Sequence, residues 1–338
     1  MKNAIYYFYN ISIDDLTKND EYYYFFCEGR KFILYKVNDM FIDCYDMYQL
    51  NQFLIKKSDQ FFEIILNKNN QVITTMQNDK YILMVDSNID DRKFELQDLL
   101  RTNIKIEYNP RTKNSLIRKN WIMLWKKKID YLENFVNYNI NKYCDINKYI
   151  NYFIGMAENS LSYLNYILNV ENYDMSSNLV VSHNRININS IKSLYNPLNL
   201  IVDHLSRDIS EYLKSHFFDV DKKNRYNFLE SINLSREENL CIVGRLIFPS
   251  YFFDSFESFV SDKITEVDIL RLIDKANEYE IYLLNIMKFL KQRYNIIEIN
   301  WLKKVDYSST LTTPRTSGTS LTNIDSIPSF NVTSIMLQ

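Results

Sequence analysis

Near the start of the chain the apolar residues crowd into short runs separated by polar pairs, the pattern of strands rather than helices. Residues 4–13 and 21–37 are rich in Tyr, Phe, Ile and Val. The runs YYYFFC and KFILYKV flank Glu28-Gly29-Arg30, which predicts a β-hairpin. Residues 46–57 place Met47, Leu50, Phe53 and Leu54 at helical spacing and end on Lys56 and Lys57, where the helix dipole favours cations. The stretch FFEIILNKNNQVITTMQNDKYILMVD predicts three more strands divided by Asn/Lys and Asn/Asp turns. Residues 1–86 therefore read as a β-rich lobe with one helix.

From Asp90 the period turns helical. Residues 116–143 carry Trp121, Trp125, Ile129, Leu132 and Phe135 on one face, with Lys126, Lys127 and Lys128 on the others as a solvated surface. A second helix begins near Ala157, with Leu161, Leu164, Ile167 and Leu168 as its buried stripe. LVVSHNRIN and LNLIVD read as extended. Asp208 and Glu211 then stand in capping-box spacing ahead of an apolar run. Further helices are expected at 235–261 and 264–294, so residues 87–306 form a mostly helical lobe. Residues 307–338, rich in Ser, Thr, Asn and Pro, offer too little apolar surface to offset the entropy of ordering and read as a disordered tail. A small sheet with one helix, followed by a helical region carrying two short strands, is an α+β arrangement of the protein-kinase kind.

Composition removes several functions. Only Gly29, Gly155, Gly244 and Gly318 are present, so no Walker loop, dinucleotide fingerprint or glycine-rich kinase loop can be built. The four cysteines are scattered, and the three histidines are not spaced with them for zinc. A formal net charge of -2 gives no basic field for nucleic acid. MKNAIYYFYNISIDD does not read as a signal peptide, and the most apolar stretches, 149–168 and 241–253, are interrupted by Glu158 and Arg245, so no membrane span is expected. Synthesis in a reducing cytosol is the expectation.

Phosphoryl transfer needs a carboxylate to orient or deprotonate the acceptor, ligands for magnesium and a cation on the nucleotide phosphates. The segment VVSHNRININS, from Val180 to Ser190, lies where a catalytic loop would follow the helical stretch, and Asp203 lies at the tip of LNLIVD where a metal-binding Asp would sit. Five segments are informative: Tyr152 to Asn159 (YFIGMAEN), the HNR loop at His183, Ile201 to Tyr212 (IVDHLSRDISEY), Gly244 to Asp254 (GRLIFPSYFFD) and the closing INWL at Ile299. Over most of residues 20–302 the chain resembles the kinase-like spore-coat proteins of the YutH type. The resemblance implies the two-lobed aminoglycoside-phosphotransferase-like fold, with a small antiparallel-sheet N-lobe and a mostly helical C-lobe. It also implies a place in the spore coat among other coat proteins.

Active members of the wider phosphotransferase group carry HxDxxxxN, and this chain departs from that pattern. His183 matches the histidine, but Arg185 stands in the place of the catalytic Asp and Ser190 in the place of the magnesium-binding Asn. A guanidinium cannot accept a proton, so the general-base position is vacant. Asp203 matches the second metal ligand and Asp208 the acidic residue capping the next helix. Lys36 is the first candidate for the phosphate-contacting lysine and Lys31 the second; the helix at 46–57 supplies no Glu partner.

Plainer roles compete at each position. His183 and His204 are expected to fix a loop by hydrogen bonds, Asp203 to brace Arg185 or Arg207, Asp208 to cap a helix, and Phe248, Tyr251, Phe252, Phe253 and Phe256 to pack a core. Three readings follow: an inactive pseudokinase working through protein contacts, a small-molecule phosphotransferase using ATP and magnesium through Asp203, and a structural protein with a filled cleft.

Overall fold

A two-residue turn closes the first hairpin: Glu28 (φ 51°) and Gly29 (φ 74°) both adopt positive φ, as a type I′ turn requires, between β2 (Tyr22–Cys27) and β3 (Arg30–Lys36). The computed structural model describes residues 1–19, 22–37, 44–87, 89–107, 115–118, 121–138, 144–174, 178–219, 226 and 233–302; the segment 307–338, expected to be disordered, lies outside them. The chain forms two compact units, one of Met1–Lys119 with Ser176–Asp208 and the other of Asn120–Met175 with Ile209–Gln338.

The first unit is built on an antiparallel sheet in the order β1-β2-β3-β6-β4, with β5 also pairing β6. Its remaining strands are β1 (Thr17–Lys18), β4 (Glu63–Ile65), β5 (Thr74–Met76) and β6 (Asp79–Val85). One face packs Phe25, Phe32, Leu34, Tyr81, Leu83 and Val85 against Ile5 of α1 (Lys2–Tyr9). Residues 4–9, rich in β-forming side chains, are thus helical. Ile5 needs only one face to reach the sheet, and Asn10 ends the helix at φ 56°. The expected helix at 46–57 is α2 (Cys44–Ile55). Its buried Asn51 donates to the Phe62 carbonyl (2.7 Å) and accepts from Ile64 N–H (2.9 Å), pinning the helix to β4 through a neutral side chain.

The same unit contains α3 (Leu96–Thr102), the β7 (Leu179–His183) and β8 (Leu200–His204) pair, and α6 (Lys192–Tyr195) between those strands. Every residue of β7 and β8 is buried. Backbone bonds from Ile106 N–H to the Leu179 carbonyl and from Val202 N–H to the Leu116 carbonyl carry this small sheet into the unit. The first unit therefore runs past residue 86.

The second unit is helical, with α4 (Trp121–Tyr138), α5 (Cys144–Asn169), α8 (Arg236–Ile247), α9 (Ser250–Val260), α10 (Glu266–Asp274), α11 (Ala276–Tyr294) and most of α7 (Ser206–Asp219). The helix expected to begin near Ala157 starts earlier, at Cys144. The helix expected at 235–261 is two, α8 and α9: Phe248 turns extended ahead of Pro249, which has no N–H to continue the ladder. The one expected at 264–294 likewise divides at Lys275. Phe248, Phe252, Phe253 and Phe256 are all buried, as a core stripe should be. Arg245, the charge interrupting 241–253, is buried with its guanidinium 3.9 Å from the centre of the Trp121 ring.

Another cation is buried on α7. Lys214 Nζ donates to Glu211 (2.9 Å) and Ser250 (2.8 Å), and burial pulls its pKa below the ordinary 10.5. The unfolded chain then binds more protons than the folded one between the depressed value and 10.5, so this group's contribution to stability rises with pH through that window. We expect wild type to gain stability relative to Lys214→Met as pH climbs toward 10.5, read from urea midpoints; a pH-independent difference would contradict the assignment.

Candidate functional site

The histidine of the HNR loop ends β7, and its surroundings hold it still. Asp208, in the first turn of α7, accepts from His183 N–H (2.9 Å), His183 Nδ1 (2.7 Å) and Asn103 Nδ2 (2.9 Å). The other ring nitrogen, Nε2, faces the Leu194 carbonyl at 3.0 Å. With acceptors at both nitrogens, the ring is a brace. Asp208, itself fully buried, is therefore a member of this network instead of the expected helix cap. Glu211, the other half of the expected capping box, turns to Lys214 and Ser250.

Asp203 lies within β8, fully buried. Its Oδ1 accepts from His204 N–H (2.7 Å), and its Oδ2 lies 3.3 Å from Nη1 of Arg207. The rest of that guanidinium is spent on the loop, with Nε donating to the His183 carbonyl (3.0 Å) and Nη2 to that of Asn184 (3.1 Å). Of the two bracing partners expected for Asp203, the structure pairs it with Arg207. Arg185 is exposed, anchored through its backbone N–H to Asn199 Oδ1 (3.0 Å). His204 is fixed in place by Ser206 through Nδ1 (2.8 Å).

Ser190 faces away from this group of residues. Its hydroxyl donates to both oxygens of Asp91, at 2.9 Å each. The two line a cavity of about 230 Å³ on the free face of the sheet, together with Lys31, Ile33, Tyr35 and Asp86. Lys31 therefore lies in the cavity and Lys36 does not: β3 side chains alternate, and Lys36 shares the face of Phe32 and Leu34, paired with Asp79 at 2.7 Å. The lysine first chosen from the sequence thus lies on the face opposite this cavity. Asp86, almost wholly buried, binds Lys192 at 2.7 Å and lies 3.8 Å from Lys31. Asp86, Asp91 and Lys192 were not singled out from the sequence. A charged residue closing the apolar strand YILMV was the one signal that pointed to Asp86.

As a donor set these residues do not fit magnesium nucleotide. Both Asp203 oxygens have donors, one of them a guanidinium where a divalent cation would need the lone pairs. The cavity's lysines face a buried carboxylate, and Asp91 adds a second acid where phosphates would need cations. Among the described residues no three His, Cys, Asp or Glu side chains converge as a metal site. No described helix is long and apolar enough to cross a membrane.

The strand order of the main sheet and the hairpin that carries the loop define an α+β, kinase-like phosphotransferase fold. Aminoglycoside phosphotransferase from Alicyclobacillus acidocaldarius subsp. acidocaldarius DSM 446 superposes with a TM-score of 0.61, covering 86% of this chain and 96% of that one at 10% identity. Spectinomycin phosphotransferase in complex with ADP and spectinomycin superposes at 0.51, covering 86% and 92% at 11% identity. The chain belongs to the family described as "Spore coat putative kinase YutH", whose sequence profile matches residues 2–286. It is also 23% identical over 289 residues to "Endospore coat-associated protein YutH" of Bacillus subtilis (strain 168), covering 77% of this chain and 85% of that one.

Proposed function

We propose that this protein is a catalytically inactive kinase-fold component of the spore coat that works through contacts with other coat proteins. The observation that carries the reading is the Asp203–Arg207 pair beside a loop in which Arg185 replaces the base. An arginine neither accepts a proton nor shares a carboxylate with magnesium at no cost. The link to the coat rests on the family and on the coat-associated Bacillus relative. Synthesis in the cytoplasm of the developing cell, followed by deposition on the spore, is the route we infer.

A thermal-unfolding titration of the full chain with ATP, with and without magnesium, tests the catalytic half of this reading. A ligand at about a hundred times its dissociation constant stabilises by ~2.7 kcal/mol. We expect no magnesium-dependent shift in wild type or in Asp203→Ala, and no phosphoryl transfer or ATP hydrolysis above background. A magnesium-dependent shift that disappears in Asp203→Ala, or turnover of ATP, would restore the phosphotransferase reading.

A further inference from the structure

Two opposite charges line the cavity on the free face of the main sheet without pairing with each other. Lys31 projects from β3 on the face of Ile33 and Tyr35, and its Nζ sits 5.0 Å from the centre of the Tyr24 ring. Among the described residues its nearest carboxylate oxygen is Oδ2 of Asp86, at 3.8 Å, and Lys192 already holds that same oxygen at 2.7 Å. Two ammonium groups thus crowd one buried oxygen, and Lys31, the more distant, keeps 26% of its side chain exposed. Asp91 has the opposite lack. Its oxygens accept from the Ser190 hydroxyl at 2.9 Å each and from the Lys192 backbone N–H at 3.3 Å, all neutral donors. Among the described residues no cationic side chain reaches it. All of these residues belong to the first unit.

We propose that this cavity binds a small zwitterion of the amino-acid class, with the ligand's carboxylate on Lys31 and its ammonium on Asp91. A charge partly withdrawn from water gains from an opposite charge close by, and Asp86 at 3.8 Å is beyond hydrogen-bond reach of Lys31. An ammonium on a flexible stem can follow a ligand carboxylate without a fixed fork geometry. Asp91 is the rigid end, since Ser190 and the Lys192 backbone fix its orientation. An ionised carboxylate has about four acceptor sites, so those donors leave room for an ammonium. Charge decides the ligand class. Lys31 and Lys192 balance Asp86 and Asp91 in the wall as a whole, which disfavours a polyanion or a polycation and matches a ligand with one charge of each sign. The volume of about 230 Å³ falls below the roughly 300–1,000 Å³ of drug-sized sites, as suits a single amino acid. Ile33, Phe62 and the Tyr22–Tyr35 pair, whose ring centres are 5.1 Å apart, make the rest of the wall apolar and aromatic, so the expected ligand side chain is hydrophobic.

Such a site needs neither a metal nor a general base, so it goes beyond the reading above. Isothermal titration calorimetry of the full chain with L-phenylalanine and with L-leucine, in EDTA, tests it. The N-acetyl and the amide form of each amino acid remove one ligand charge at a time, so the pairing is probed without any change to the protein. We expect saturable heat with at least one of the free amino acids, weakened about tenfold or more when either charge is blocked. The same loss is expected in Lys31→Met and in Asp91→Asn, which keeps an acceptor for Ser190; tenfold is the loss of one hydrogen bond to a charged group. No saturable heat with either amino acid, a blocked form that binds as tightly as its parent, or binding unchanged in either variant overturns the site. None of these results touches the proposed function, which falls only to magnesium-dependent binding or turnover of ATP.

Discussion

Replacing Asp208 by Ala is expected to destabilise the protein by about 3–5 kcal/mol, the range for removing one partner from a buried ionic or hydrogen-bonded group. The carboxylate is wholly buried and accepts three donors: the His183 backbone N–H, the His183 ring and Asn103. Truncation strands the His183 backbone N–H and ring in a place water does not reach, at ~1–3 kcal/mol for each unsatisfied group before relaxation, while Asn103 keeps its bond to the Val181 carbonyl (2.9 Å). Asp208→Asn should cost less. Its carbonyl oxygen keeps the bond to the His183 backbone, and its amide can donate to a neutral His183 ring, but it meets Asn103 donor to donor. Equilibrium urea unfolding of the full chain measures both. A cost under ~1 kcal/mol for the alanine variant would show that the network does not hold the loop, since that is the net worth of one ordinary hydrogen bond.

Gly244→Ala is expected to cost about 1–3 kcal/mol, the range for an extra methyl forced into a packed core. A Cβ built at Gly244 would lie 2.5 Å from Leu164 Cδ2 and 2.6 Å from its Cγ, both inside van der Waals contact. The Cγ contact cannot be relieved by turning a terminal methyl, and Leu164 is itself fully buried. The two helices are also tied at this point, where the Ser160 hydroxyl donates to the Gly244 carbonyl at 2.7 Å. Any separation of α5 from α8 therefore stretches that bond as well. Combining Gly244→Ala with Leu164→Ala should cost less than the sum of the two, because the second change removes the obstacle met by the first. Strict additivity in urea midpoints would mean that the close approach is not what makes glycine necessary here.

How far the sequence could be read depended on the range of the interaction involved. The hairpin at Glu28-Gly29 and the buried Leu161, Leu164 and Ile167 of α5 are patterns of neighbouring residues, and they emerged as expected, though Leu168 is only partly buried; so did the core role of Phe248, Phe252, Phe253 and Phe256. Asp208 was legible as important but not for the right reason. Capping is a contact within three residues, whereas its actual partners lie 25 and 105 residues away. Lys36 was preferred to Lys31 because both stand on one apolar strand. Which face of β3 is covered depends on α1, whose Ile5 packs beside Phe32 and Leu34. Nothing within the strand itself reveals this. The bond between Asp86 and Lys192 spans 106 residues and leaves no local pattern at all.

The sequence by itself determined what chemistry is missing. An arginine at 185 cannot be a general base in any conformation, and glycines as far apart as 29, 155, 244 and 318 cannot form a glycine-rich phosphate loop, because these follow from residue type and spacing alone. Only the tertiary structure decided what the remaining groups do. Hydrogen bonds and ion pairs act over about 3–4 Å, so whether Asp203 meets a metal or Arg207, and whether His183 meets Asp208, is set by where β7, β8 and α7 bring them.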